Sequence, residues 1–590
     1  VQTNTPLFFR KLTRRLIYNL CFMLVVIVSV GAYLHSQPET VVAAVQPLKI
    51  AYHKQLRTIV RHRFKAACSS TKANVPHCLA DILVNTNGQT LTEATPNIMN
   101  GNGPLQFHTA YNLPCTPGGP VQSICSTPTT YGPETIAIVD LGGYGGSGSI
   151  ESNLATFDSY YNLPACTTAD GCLSIVNQDN QTSPLPAVST TDPSGWAAEM
   201  NLDVQTAHMI CQSCQIKLYE SVDLISALNT AAINGATSVS NSWSFAENGS
   251  FDDSDVEHPG VAIVAATGDD GSDESGGNYP ADNPDVVAAA GTTLQLNTDN
   301  SYSSEAVWSG SGGGCASDSS DSAPSWQTGL SNWTTAGCGS EKAVGDLSAD
   351  ADPSTGMSVY FGSSWGVAGG TSLAAPIIAS AFALAGGVPS STYAPSMIYQ
   401  NFNSLNSHDI TSGNDCTSSV TANCTAGTGF DTPSGMGSIN GIDGLEAQPL
   451  TTPGSFDAVE TSTSSIDLSW TPSTSTYGVA GYNVYRNGTL IDTTTSNNYS
   501  DTGLAANTVY NYTISAYDNS SDVSESASAS NSTFEAEDIN DDSHINLLDL
   551  SLLASKYGQT GSSLGRADIN GDGKVDLLDL SLLASKYGSE

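Results

Sequence analysis

The end of this 590-residue sequence states one motif twice, and the duplication restricts what that stretch can become. Asp538, Asn540, Asp542, Asn546 and Asp549 stand at positions 1, 3, 5, 9 and 12 of a loop. Asp568, Asn570, Asp572, Asp576 and Asp579 repeat that spacing thirty residues later. A hard cation such as calcium needs a cage of converging oxygens, and the backbone carbonyls of His544 and Lys574 complete each set at position 7. Gly573 permits the sharp turn at position 6, where the first loop has Ser543. Each loop is followed by a short apolar stretch read as a helix, so the expected fold is two calcium loops with two helices, holding about two ions.

A duplicated calcium loop of this kind resembles a type I dockerin, over residues 534–590. The resemblance implies docking to a cohesin module on a scaffold or cell-surface protein, with Leu547-Leu548 and Leu577-Leu578 at the recognition positions. Upstream, from Pro453, short period-two segments such as Ile466–Trp470, Tyr482–Tyr485 and Tyr510–Ile514, with an Asn487-Gly488 hairpin turn, read as a β-sandwich. Trp470 and the Leu504/Tyr510 pair resemble the core tryptophan and tyrosine corner of fibronectin type III modules, over residues 451–533.

Residues 106–450 alternate strand-like and helix-like runs. Ile136–Asp140 before Gly142-Gly143 and Val261–Ala266 before Gly268 read as buried strands entering glycine turns. Trp196–Ile210 and Val222–Ala232 carry helical spacing between them. Such alternation predicts an α/β domain with a mostly parallel sheet.

Gly369-Gly370-Thr371-Ser372-Leu373-Ala374-Ala375-Pro376 is a glycine turn feeding an apolar helix, with Pro376 expected in the first turn. A serine there lies beside unpaired N–H groups and the positive end of the helix dipole, which suits a nucleophile and equally suits a helix cap. Glu199 and Asp203 fall at i and i+4 on one helix face. Like charges so placed repel, so one holds its proton to higher pH, and the pair can pass a proton to and from a serine. A solvated helix face would display the same spacing. Asp269 follows a buried strand, where a protonated carboxyl can donate to a developing oxyanion; Asp-Asp-Gly is also an ordinary turn.

Together these segments resemble the sedolisins, the serine-carboxyl peptidases, over residues 106–445. The resemblance implies that Glu199, Asp203 and Ser372 are catalytic, with Asp269 the oxyanion-hole acid, preferred over Asp270 because Gly268 precedes it. Asn241–Ser244 resembles a strand flanking the substrate, and Asp140 a further supporting acid. The resemblance also implies a calcium site built from Asp409 and Asp431 with the carbonyls of Ile410, Gly427 and Gly429. The fold class expected is therefore α/β, a subtilisin-like parallel-sheet catalytic domain, plus an all-β fibronectin type III sandwich and a small α-helical calcium-loop dockerin.

Charge and cysteines frame the whole. Eighteen Lys and Arg face 57 Asp and Glu, and ten of the basic residues lie before residue 66 with a single acid, Glu39. That distribution excludes a nucleic-acid binder, since phosphate affinity needs clustered cations. Lys11, Arg14 and Arg15 precede the uncharged run Leu16–Leu34, so residues 1–35 read as a signal peptide or signal anchor, cut near Val42-Ala43-Ala44 or Val30-Gly31-Ala32. Its length approaches the roughly 20 residues that span a bilayer, and a membrane association follows only if it stays uncleaved. Residues 36–105 then form a pro-region, and the rest is exported. Twelve cysteines beyond Cys21 suggest sequential bridges: 68/78, 115/125, 166/172, 211/214, 315/338 and 416/424. Cys211-Gln-Ser-Cys214 alone would also read as a redox or zinc motif. Expected is a secreted endopeptidase acting on protein at acidic pH. Its alternatives are a subtilisin-type neutral peptidase, although none of His108, His208, His258 or His408 has a suitable setting, or a non-catalytic surface protein using the peptidase fold.

Overall fold

The computed structural model describes residues 63–68, 76–84, 101–115, 122, 124–125, 132–246, 253–272, 278–316, 321–403, 405–417, 421–475, 478–519 and 522–588. The apolar run Leu16–Leu34, both cleavage candidates and most of the segment 36–105 lie outside the described residues. Among the described residues no helix is long and apolar enough to cross a membrane.

The large domain is built on a ten-stranded sheet. Its strands, in chain order with the two helices that matter most, are β1 (Thr135–Leu141), β2 (Leu173–Asn177), α1 (Pro193–Ile210), β3 (Gln215–Ser221), β4 (Ser238–Asn241), β5 (Ala262–Ala266), β6 (Val287–Leu296), β7 (Tyr302–Val307), β8 (Leu347–Asp350), α2 (Thr371–Leu384), β9 (Ser407–His408) and β10 (Ser438–Ile439). The order across the sheet is β9-β10-β8-β6-β5-β4-β1-β3-β2, with β7 on β6. Every pairing from β10 to β2 is parallel; only β7 and β9 pair antiparallel. The continuous apolar runs of β1 and β5 follow from this, since a parallel strand is covered on both faces.

Helix α1 starts where Pro193 occupies its first turn and the Asp192 carboxylate accepts the Gly195 N–H at 3.2 Å. It is buried all round from Gly195 to Ile210, so its two carboxylates share a core helix rather than a solvated face. Helix α2 is buried from end to end and packs against α1 and the centre of the sheet. Pro376 departs from the sequence expectation: it lies one turn further in, six residues into α2. There it leaves the Ser372 carbonyl, four residues earlier, without its helical donor.

All six sequential disulfides form, Cys211–Cys214 among them, and both of its cysteines are buried. The sandwich has a three-stranded sheet (Gly454–Ser462, Ser465–Thr471, Asn498–Thr502) and a four-stranded one (Thr489–Thr494, Val479–Arg486, Val509–Asp518, Ala527–Ser532). Trp470 is buried against Tyr482 at 5.2 Å between ring centroids. The Tyr510 hydroxyl accepts the Ala505 N–H at 2.9 Å, which closes the tyrosine corner. Asn487 and Gly488 both take positive φ, 50° and 79°, as the tight hairpin turn requires. The last segment forms two helices, Leu547–Lys556 and Leu577–Lys586, over a small shared core that includes Leu553 and Leu583.

Candidate active site

The carboxyl ends of the parallel strands gather the acids, as the switch points of such sheets do. Asp140 is next to last in β1, Asp269 follows β5, and α1 lays Glu199 and Asp203 alongside. Glu199, Asp203 and Asp140 are fully buried. Burial, then the charges of Asp203 and Asp140, push the Glu199 carboxyl well above its usual range, while the nearness of the Ser372 hydroxyl pulls the other way. Burial and then Asp140 push Asp203 well up, against a bond with Ser242. Asp140, desolvated and facing Glu220, is pushed up to about 8. Such a cluster cannot ionise completely at once, so it holds protons where isolated carboxyls would have lost them.

Ser372 is the second residue of α2, inside the helix, and Gly370 holds the cap position. The helix-cap reading of this serine is thereby excluded. The Ser372 hydroxyl points to the Ser242 carbonyl at 3.4 Å. The Ser242 hydroxyl lies 2.9 Å from Asp203 Oδ1 and 3.3 Å from the Ser372 carbonyl that Pro376 leaves free. One hydroxyl proton serves only one of these acceptors. A proton on Asp203 lets both bonds form, Asp203 donating to Ser242 and Ser242 to Ser372.

Asp269 Oδ1 accepts the Thr371 N–H at 2.7 Å and the Thr371 hydroxyl at 2.9 Å, so it caps α2 from outside the helix. Its Oδ2 is buried and has no hydrogen-bond partner, although the residue as a whole keeps some exposure. Burial and then the Asp81 charge push this carboxyl well up, despite the bonds from Thr371. Asp270 is exposed, which separates the two adjacent acids. A Cβ on Gly370 would lie 2.3 Å from Asp269 Oδ2, and its φ of +89° also demands glycine.

Four of the described histidines are engaged away from Ser372. His208 Nδ1 pairs with Asp158 at 2.8 Å, His108 bonds the carbonyls of Leu113 and Met209, His258 bonds Asp255, and His408 stacks on Tyr302. Among the described residues none pairs with Ser372.

The chain is similar to known proteins. The chain is 31% identical over 346 residues to kumamolisin from Bacillus sp. (strain MN-32), covering 53% of this chain and 60% of that one. It is 27% identical over 446 residues to sedolisin from Pseudomonas sp. (strain 101), covering 65% and 70%. The large domain is sedolisin-like. A fibronectin type III-like module follows it, and residues 536–586 match the dockerin type I domain. The solved Pseudomonas sedolisin, a serine-carboxyl proteinase complexed with two molecules of pseudo-iodotyrostatin, is 24% identical, covers 58% of this chain and 96% of its own, and superposes with a TM-score of 0.46.

In the large domain four of the five residues implied to hold calcium meet in pairs. Asp409 accepts the Gly429 N–H at 3.1 Å, and Asp431 Oδ2 accepts the Gly427 N–H at 2.8 Å. The carbonyls of Ile410, Gly427 and Gly429 accept no hydrogen bond among the described residues. Two carboxylates with three free carbonyls fit a hard cation.

In the dockerin, carboxylate oxygens of Asp538, Asp542 and Asp549 lie within 4.8 Å of one another. Asp549 Oδ1 gathers the N–H groups of Ile539 and Asn540, and Asp579 does the same with Ile569 and Asn570. Asn546 and Asp576 cap the two helices. The Ser543 substitution leaves the first turn intact: Ser543 adopts φ 68° where Gly573 has 81°. A side chain in that region costs about 1 kcal/mol, so Ser543→Gly is expected to raise the calcium affinity of the first loop about fivefold by titration calorimetry. Unchanged or weaker affinity would show the serine to be unstrained. Leu547, Leu548, Leu577 and Leu578 are exposed, at 52–69%.

Sequence reading missed what Ser242 does with its side chain, linking Asp203 to the Ser372 carbonyl. It also missed Leu79 and Asp81, which reach the same place. The Cys68/Cys78 spacing marks a closed loop there, but nothing local to it points at Ser372.

Proposed function

We propose that this chain is a secreted serine-carboxyl endopeptidase, working on proteins at acidic pH and carrying a calcium-dependent docking module. The observation that carries the reading is a serine at a buried helix N-terminus, set between a proton-holding acid pair and a second proton-holding acid with an unpartnered oxygen. Ser372 Oγ attacks the peptide carbonyl carbon while Glu199 takes its proton. Asp203 keeps its own proton on Ser242 and orients Glu199. The oxyanion accepts from the Ser372 N–H and from neutral Asp269. Glu199 then protonates the leaving amine, and water hydrolyses the acyl-enzyme with Glu199 again as base.

The domain assignment in this reading is a signal segment over 1–35, a pro-region over 36–105, the peptidase over 106–450, the sandwich over 451–533 and the dockerin over 534–590. Asp409 and Asp431 with their carbonyls would hold one calcium ion and the two dockerin loops about two. Calcium, when bound, stiffens these turns and takes no part in peptide cleavage. The exposed leucine pairs suit a cohesin partner, which would place the enzyme on a scaffold or cell surface outside the cell.

The test is a pH–activity profile on a denatured protein, with and without chelator, combined with labelling by a peptide aldehyde. Activity peaking below neutrality, blocked by the aldehyde, is expected. A neutral optimum would favour the subtilisin-type alternative, and absence of labelling a non-catalytic surface protein. Chelation is expected to abolish ordered dockerin structure, seen as loss of its amide dispersion by NMR, because the loops have no other means of holding six or more oxygens together. Unaltered spectra would refute the cation assignment.

A further inference from the structure

The two loops of the dockerin differ where the sandwich touches them. Residues 547–558 and 577–588 are identical, whereas loop positions 4 and 6 carry Asp541 and Ser543 in the first repeat and Gly571 and Gly573 in the second. All four take positive φ, 58° and 68° against 74° and 81°. Glycine adopts this conformation freely and aspartate only at some cost, which leaves the side chain of Asp541 to account for its presence. Position 4 supplies no ligand to the cation in such a loop. Instead Asp541 Oδ1 accepts the Thr463 N–H, in a hairpin turn of the sandwich, at 3.1 Å. The same carboxylate pairs with Arg566, which lies just ahead of the second loop and also donates to the Asp538 carbonyl. One side chain thus ties together the sandwich, the first loop and the second repeat. A Cβ on Gly571 or Gly573 would meet nothing within 4 Å, so the second loop turns the same corner in open space.

The connecting segment is fixed as well. The Phe534 N–H donates to the Ser462 carbonyl at 3.2 Å, and the Phe534 carbonyl accepts the Asn507 N–H at 3.0 Å. Glu535 Oε1 accepts from Asn507 Nδ2 at 3.4 Å and pairs with Lys586, at the end of the second helix, at 2.8 Å. Between the modules lies a cavity of about 200 Å³, lined by Glu460 and Asn507 of the sandwich and by Asp538, Ser543 and Ile545 of the first loop. Asp538 is the first ligand position, so the cation cage and the module boundary share a wall. A cation held by Asn540 and Asp542 would fix the residues on either side of Asp541 and aim its carboxylate at Thr463. Without one, position 4 is free to leave the left-handed region.

We propose that the first calcium loop is also a latch between modules: with its cation in place, Asp541 docks the dockerin on the Thr463 turn of the sandwich and sets the angle at which the leucine pairs are presented. The inference rests on the calcium reading of these loops given above. Docking and cation binding then strengthen one another by the same factor, as linkage requires. The second loop, with no carboxylate at position 4, carries no such coupling.

The experiment is hydrogen exchange read by mass spectrometry on the full chain bearing Ser372→Ala, in calcium and after chelation. Calcium is expected to protect both loops, 538–549 and 568–579, and to slow exchange at 462–465 by about tenfold. Asp541→Gly copies the second loop; in calcium it should keep both loops protected and lose the protection of 462–465. Asp541→Asn, which retains an oxygen acceptor, should keep part of it. Thr463→Pro removes the donor without touching the dockerin. It should weaken the calcium affinity of the first loop about fivefold, read from its protection across a calcium titration, and leave the second loop unmoved. Protection of 462–465 that survives Asp541→Gly, or is equal with and without calcium, overturns the latch and leaves the calcium loops standing. An unchanged first-loop affinity in Thr463→Pro overturns it too. Absence of calcium protection in both loops overturns the calcium reading itself.

Discussion

Replacing Ser372 by alanine is expected to lower kcat toward a denatured protein by about 10⁶-fold, the scale on which a serine peptidase loses activity when its nucleophile is deleted. The change removes one oxygen. Its hydrogen bond to the Ser242 carbonyl is long, at 3.4 Å, and α2 keeps its cap from Asp269 to Thr371. The fold should therefore survive with a loss of about 1 kcal/mol, a shift of a few degrees or less in a domain of this size. The backbone N–H of Ser372 is untouched, so substrate still binds. Activity near wild type, measured as kcat/KM on a peptide with the melting temperature followed in parallel, would remove Ser372 from the mechanism. Glu199→Gln should show a comparable block by a different route, because the amide cannot take the proton.

The features legible in the sequence were those with a local cause. Parallel strands show as unbroken apolar runs at Ile136–Asp140 and Val261–Ala266, because both faces are covered. The calcium loops show as oxygen side chains at fixed spacing, and the disulfides as neighbouring cysteines. The pairing of Glu199 with Asp203 was legible as i, i+4, but its desolvation was not: an acidic pair reads alike on a solvated and a buried helix until the packing of α1 against α2 is known. Pro376 was misplaced for a similar reason. Its helix begins at Thr371, and only the cap at Gly370 reveals that the proline sits in the second turn and frees the Ser372 carbonyl. Ser242 and Leu79 had no local signature, since their roles arise from strands that meet only in the folded chain.

The Asp269→Asn variant tests the protonation argument directly. Asp269 Oδ1 is occupied by Thr371, which leaves the buried Oδ2 as the atom facing Gly370 and, in the proposed mechanism, the oxyanion. Burial and the Asp81 charge hold this carboxyl neutral well above the ordinary range, so it donates through the acidic region and becomes an anion only at higher pH. Ionisation exchanges a donor for a charge that repels the oxyanion. Losing one such donor costs about 10²–10³ in kcat, roughly 3–4 kcal/mol, and repulsion adds to it. Wild-type kcat/KM should therefore fall steeply as pH rises through the raised Asp269 pKa. Asparagine keeps an N–H donor at every pH, so the variant should start lower at acidic pH and decline less, and the two profiles should converge or cross. Stability has the same sign. A carboxyl whose folded pKa is raised contributes stability that is complete below its unfolded pKa and disappears as pH rises through the folded one. Wild-type melting temperature should accordingly drop over that interval by more than the variant's. A variant whose activity falls at the same pH and as steeply as wild type would assign the alkaline limb to the Glu199–Asp203 pair and leave Asp269 as a cap on α2.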